Sequence, residues 1–126
     1  MILESIQYYD EDYAYDKGYY SKLDKEEFKP KNKLEELEYK LGQLDSKIDI
    51  LENGDNSILY NTDIYSNKCK ILKIEIATLK NKVEQYILDV ITTYIESSDD
   101  SKDISDYTLR EIAQTAYKEF WNYYTE

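Results

Sequence analysis

Between Gln7 and Asp16 the chain reads QYYDEDYAYD: four tyrosines and four carboxylates, with no positive charge among them. Each tyrosine offers a ring for packing or cation–π contact and a hydroxyl for a hydrogen bond. Carboxylates beside such rings add charge complementarity to Lys and Arg. The chemistry this pattern supports is recognition of a basic surface. A second acidic run, ESSDDSKDISD at 96–106, contributes Glu96, Asp99, Asp100, Asp103 and Asp106 among turn-forming Ser and Asp residues. The candidate partner-binding residues are therefore Tyr8, Asp10, Glu11, Asp12, Tyr15, Asp16, Tyr19 and Tyr20 in the first segment, and those five acids in the second.

Other chemistry finds little to work with. The chain has no histidine, which removes the commonest general base and metal ligand. Gly18, Gly42 and Gly54 are its only glycines and form no phosphate-binding loop. DED at 10–12 and DDSKD at 99–103 supply oxygen ligands without the spacing of a calcium loop. The expectation is a protein that is not an enzyme and holds no metal or cofactor. The single Cys69 cannot form an internal disulfide. It falls on a helical seam as a small buried residue, and Lys68 and Lys70 beside it point to other faces.

The elements that must position the acidic segments are helices. After Pro30, the residues Leu34, Leu37, Leu41, Leu44, Ile48 and Leu51 alternate spacings of three and four, the seam of a coiled-coil helix of roughly six turns. Gly54 is expected to end it, with Asn56 or Ser57 capping the next helix. Tyr65, Cys69, Leu72, Ile76, Leu79, Val83, Tyr86 and Val90 continue the rhythm to about Glu96. So short a connection predicts a long antiparallel coiled-coil hairpin, with Leu44 near Cys69 and Leu34 near Leu79. Ile87, Ile91, Tyr94 and Ile95 lie outside that seam, so the far end of the second helix must be covered on further sides.

Thr108 and Glu111 suggest a capping box ahead of a C-terminal helix with the stripe Leu109, Ile112, Ala113, Ala116, Phe120 and Tyr124. The N-terminal segment admits two readings. Ile2, Ile6, Tyr9 and Tyr13 fit a helix stopped by Gly18, whereas YAY-DKG-YYS would also make a hairpin. The helical reading places Tyr9 and Tyr13 against the fold and leaves Tyr8, Tyr15, Tyr19 and Tyr20 partly exposed. A short helix over 22–28, closed by Pro30, is expected to follow. The fold class is thus all-α in one domain, 1–126: an acidic Tyr-rich segment (1–30), a helical hairpin (31–96), then an acidic loop and C-terminal helix (97–126). The terminal segments pack at the open end of the hairpin.

Charge follows the same division. Of the 27 Asp and Glu and 16 Lys and Arg that give the net −11, residues 1–30 hold eight acids and four bases. Residues 31–95 hold eleven and nine, and residues 96–126 eight and three. The hairpin is nearly neutral and both flanks are acidic. The balance opposes direct binding to nucleic acid or anionic membranes and favours a basic protein partner. Large basic surfaces belong above all to nucleic-acid-binding proteins, whose grooves match phosphate charge. Fifteen tyrosines against two Phe and one Trp suit an interface, and a mean hydropathy of −0.77 leaves much of the chain facing water.

In size, in net charge and in its Asp/Glu/Tyr/Asn/Lys/Ile-rich style, with QYYDEDYAYD and ESSDDSKDISD as its most acidic passages, the chain resembles small phage-encoded anti-defence inhibitors of the anti-CRISPR and DNA-mimic type. The resemblance is diffuse over the chain and carries no shared motif. It implies an inhibitor that blocks nucleic-acid access to a bacterial defence nuclease or CRISPR effector. The near-neutral hairpin departs from mimics that spread charge along their length, and points to a local plug. An immunity protein or antitoxin against a basic nuclease toxin is one alternative, and a self-associating coiled-coil adaptor is another; the chain is read as a monomer or homodimer. The sequence shows neither a charged-then-apolar leader nor an 18-residue apolar run. A cytoplasmic location is expected, that of the host cell if the chain is phage-encoded.

Overall fold

The computed structural model describes residues 7–21, 27–53, 63–97 and 105–124. Four helices account for most of them: α1 (Tyr13–Tyr19), α2 (Lys33–Asn53), α3 (Asp63–Ser97) and α4 (Asp106–Tyr123). No strand occurs among the described residues, and the fold class is all-α. The chain divides into two compact units, one formed by Glu11–Leu79 and the other by Met1–Asp10 with Lys80–Glu126. Helix α3 contributes its residues 63–79 to the first and 80–97 to the second. None of the helices is long and apolar enough to cross a membrane.

In the unit of residues 11–79, α2 begins where capping chemistry allows. Pro30 holds the chain out of helix before it. The Asn32 side chain then accepts the Glu35 N–H at 2.9 Å, and Glu35 Oε1 accepts the Lys31 N–H at 3.0 Å. Glu36 receives Lys40 at 3.1 Å one turn on, an exposed pair of small energetic weight. The expected seam is deepest at its start: Leu34, Leu37 and Leu41 are buried, while Leu44, Ile48 and Leu51 are half-buried. On α3 of the same unit, Cys69 and Leu79 are buried. Cys69 Sγ reaches Asp45 at 3.4 Å, and Lys47 lies 4.6 Å from the Tyr65 ring centre.

The short helix α1 bears out the helical reading of YAYDKGY over the hairpin one, with a later start and a different role for Gly18. It starts at Tyr13, so Tyr9 precedes it; Ile2 and Ile6 lie outside the described residues, as do 22–26 of the expected 22–28 helix and the Gly54 turn. Gly18 does not stop α1 but sits inside it, buried. The reason is its contact with α2: a Cβ at Gly18 would lie 2.9 Å from the Tyr39 carbonyl carbon, and one at Gly42 would lie 2.8 Å from the Tyr19 nitrogen. Each glycine admits the other helix's backbone, as small residues do wherever helices cross closely. Ala14, one turn before Gly18, is 1% exposed on the same face.

In the other unit, Val83, Ile87 and Ile91 are essentially fully buried and recur every four residues. Ile87 and Ile91 lie outside the expected seam and are covered as the reading required of that side, while Tyr86 and Val90 of the seam are half-buried and Tyr94 is exposed. From α4, Ala113, Ala116 and Tyr117 are buried in the same unit. The α4 cap lies three residues earlier than the Thr108–Glu111 pattern suggested. Ser105 is the N-cap, and its hydroxyl accepts the Thr108 N–H at 3.2 Å. Glu111 accepts instead from the Tyr107 hydroxyl one turn back and raises that phenol above its usual range.

Candidate functional site

With Ala14 and Gly18 committed to α2, the remaining faces of α1 divide in two. Tyr15 and Tyr19, one turn apart, meet Asp45 and Asp49, also one turn apart on α2. The Tyr15 hydroxyl donates to Asp45 Oδ2 at 2.6 Å, and Tyr19 donates to Asp49. The other Asp45 oxygen receives the Cys69 thiol, so a single carboxylate joins α1, α2 and α3. Burial, then Asp45, pushes the Tyr15 phenol far above its ordinary value. The bond to Asp49 raises the Tyr19 phenol, with burial secondary. Burial followed by Asp45 raises Cys69 to about 11, so at neutral pH this sulfur is a protonated packing group rather than a nucleophile.

The outward face carries charge and rings together. Glu11, Asp12 and Asp16 are exposed, as is Tyr20 at 54%. Asp12, Asp16 and Tyr20 follow one another at intervals of four, which aligns them along one edge of α1. Tyr13, 44% exposed, extends the patch toward Phe28, whose ring centre is 6.0 Å away. Phe28 in turn stacks on Tyr39 at 4.6 Å. These rings, with Lys17, Ser21, Glu27 and Lys29, line a cleft of about 110 Å³, room for a few waters or the tip of one side chain. A different surface of the unit has the opposite sign. Leu44, Ile71 and Leu72 floor a groove of about 440 Å³ rimmed by Lys40, Lys47, Lys68 and Gln43.

Several sequence-selected residues are placed otherwise than expected. Tyr8, expected outward, is 7% exposed; its ring lies 5.6 Å from Tyr117, and its hydroxyl donates to Glu84 Oε1 at 3.3 Å. Tyr13, expected inward, faces solvent. Tyr15 and Tyr19 are half-buried, in keeping with the partial exposure expected of them, but their hydroxyls are given to α2. Tyr9 does pack, stacking on Tyr117 at 5.0 Å. Both reversals have one cause: the expected helical register ran through Tyr9, whereas helix begins only at Tyr13. Asp10, Glu96 and Asp106 are exposed in the unit that contains α4, and Asp99, Asp100 and Asp103 lie outside the described residues.

The residues overlooked in the sequence are Asp45, Asp49, Gly42 and Tyr39. A signal for them exists, because a glycine inside a heptad helix costs about 1 kcal/mol against Ala and calls for a packing reason. Tyr15/Tyr19 and Asp45/Asp49 also share the spacing of one helical turn. No three His, Cys, Asp or Glu side chains gather as metal ligands would among the described residues. The chain matches no protein family, no curated protein and no solved structure with which it was compared.

Proposed function

We propose that this protein is an inhibitor that binds the basic, nucleic-acid-binding surface of a bacterial defence nuclease or CRISPR effector and denies it nucleic acid. The observation that carries the reading is the outward edge of α1, where Glu11, Asp12 and Asp16 stand beside the exposed rings of Tyr13 and Tyr20. Carboxylates there complement Lys and Arg, and the rings supply desolvated contact area and cation–π partners. The Tyr15–Asp45 and Tyr19–Asp49 bonds serve the reading by fixing α1, so that little side-chain and backbone freedom is lost when a partner docks. Asp10, Glu96, Asp106 and the acids of 99–103 belong to the same proposal as a second acidic contact.

The scaffold of this reading is an antiparallel α2–α3 coiled coil. Its support is that the α3 partner falls from Cys69 to Tyr65 as the α2 position rises from Asp45 to Lys47. The test is co-precipitation from a bacterial lysate with the wild type and with the triple variant Glu11→Gln, Asp12→Asn, Asp16→Asn. The wild type should retain a nucleic-acid-binding protein that added DNA or RNA displaces and that rising salt releases. A partner held equally well by the triple variant would refute the reading.

A further inference from the structure

Helix α3 carries two seams rather than one. The inner seam, Tyr65, Cys69, Leu72, Ile76 and Leu79, faces its own unit with Cys69 and Leu79 buried. On the opposite face Ile64, Asn67, Ile71, Ile74 and Thr78 repeat the three-four spacing of a heptad, and all five are exposed. The three isoleucines are 61%, 57% and 67% exposed, far beyond what a solvated helix face requires. An apolar heptad stripe of this kind is what a helix presents to another helix.

The charges beside the stripe say which helix. With Ile64 and Ile71 at the first core position of each heptad and Asn67 and Ile74 at the second, Asp63 and Lys70 flank one side, and Lys68 and Glu75 the other. When two copies of α3 lie parallel and in register, Asp63 of one copy faces Lys68 of the other, and Lys70 faces Glu75. Two-fold symmetry repeats each pair, giving four opposite-charge contacts and no like-charge one. The antiparallel arrangement matches only Lys68 with Glu75 and leaves Asp63 and Lys70 without a complement. Ile71 and Ile74 then make the apolar layers, and Asn67 facing Asn67 sets the register as a buried polar layer does.

From this we infer that the exposed face of α3 between Asp63 and Thr78 is a self-association surface whose occupant is the same face of a second copy, in parallel. It is distinct from the acidic edge of α1 and does not depend on that edge's function. The stripe is about 24 Å long at 1.5 Å per residue. Two heptads bury less than a standard protein interface, so the dimer is reversible and concentration-dependent.

The full chain tests this by sedimentation equilibrium between roughly 1 and 500 μM. The average mass should climb from the 15.1 kDa of one chain toward twice that value. Ile71→Glu, at a position already exposed, should keep the helical circular dichroism and hold the chain monomeric. Lys70→Glu and Glu75→Lys should each weaken association by about tenfold, since each sets two like-charge contacts into the dimer. Lys70→Glu with Glu75→Lys in one chain should restore it. A chain that stays monomeric at the highest concentration overturns the inference and leaves the stripe to a foreign helix. A dimer indifferent to Ile71→Glu overturns it as well. Recovery by Lys68→Glu with Glu75→Lys, and not by the Lys70 pair, overturns the parallel register.

Discussion

Replacing Gly42 with Ala tests the crossing that holds the acidic edge in place. On an unencumbered helix the change would stabilise, because Ala exceeds Gly by about 0.5–1 kcal/mol in a helix interior. Here the new Cβ would meet the Tyr19 nitrogen at 2.8 Å and the Tyr15 carbonyl carbon at 3.1 Å, both in the α1 backbone and unable to rotate aside. Relief requires α1 to retreat by about 1 Å, which stretches the 2.6 Å Tyr15–Asp45 bond beyond hydrogen-bonding range. A bond to a charged group contributes about 1.5–3 kcal/mol, the more exposed Tyr19–Asp49 bond less, and overpacking adds about 1 kcal/mol or more. Set against the helix-propensity gain, the net loss is about 2–4 kcal/mol. In a chain of this size that lowers Tm by roughly 6–15 °C. Urea unfolding followed by circular dichroism reads it as a fall in midpoint at unchanged slope. Gly18→Ala meets the Tyr39 carbonyl carbon at 2.9 Å and should behave alike. Because one retreat of α1 relieves both clashes, the double variant should lose less than the sum of the two. A Gly42→Ala protein as stable as the wild type, or more stable, would refute the close crossing.

Two further outcomes follow from the same network. The Cys69 thiol, raised from 9.0 to about 11 when folded, keeps its proton where the unfolded chain releases it. Its share of stability is therefore complete below about pH 9 and lost as pH rises through about 11, and Cys69→Ala should remove that part of the decline in urea midpoints measured across this range. The tyrosines should separate by role: Tyr15→Phe should destabilise by about 1–2 kcal/mol in thermal melts, whereas Tyr20→Ala, at a residue 54% exposed, should change stability by less than about 0.5 kcal/mol and, on the proposed function, reduce capture of a basic partner. Equal losses of stability in the two variants would contradict that separation.

The helices of this protein are legible in its sequence for a plain reason: Leu34, Leu37, Leu41, Leu44, Ile48 and Leu51 admit no other period. α2 spans Lys33–Asn53 and α3 reaches Ser97, close to the Glu96 expected. Positions whose residue type serves two purposes were read less well. Gly18 fits a helix stop as readily as a close crossing, and the crossing depends on Gly42, 24 residues away and invisible to local pattern. Ser105 and Thr108 can both cap a helix, and Glu111 drew the reading to the second although its carboxylate is used by Tyr107. Ile87 and Ile91, which lie outside the heptad seam, are more deeply buried than its Tyr86 and Val90, and the Tyr86 ring meets Phe120 of α4 at 5.9 Å. Tyr8 and Tyr13 depart from the helical period expected through Tyr9 because helix begins only at Tyr13.

Correcting those tyrosines changes what the acidic composition means. Some of the carboxylates serve the fold, since Asp45, Asp49 and Glu84 each accept a hydrogen bond from a tyrosine of the N-terminal segment. A tyrosine hydroxyl is the donor such an acid can use where Lys would cancel the charge and Phe would leave the acid without that donor. The abundance of Tyr over Phe therefore has a structural source, in hydroxyls that bond carboxylates of α2 and α3. The edge proposed for recognition is smaller than the two acidic segments of the sequence: Glu11, Asp12 and Asp16 beside Tyr13 and Tyr20, with Asp45 and Asp49 behind them on α2. On the proposed reading, a basic groove would meet carboxylates carried on and just before a helix that is itself bonded to α2, so that docking would order less backbone than a free tail requires.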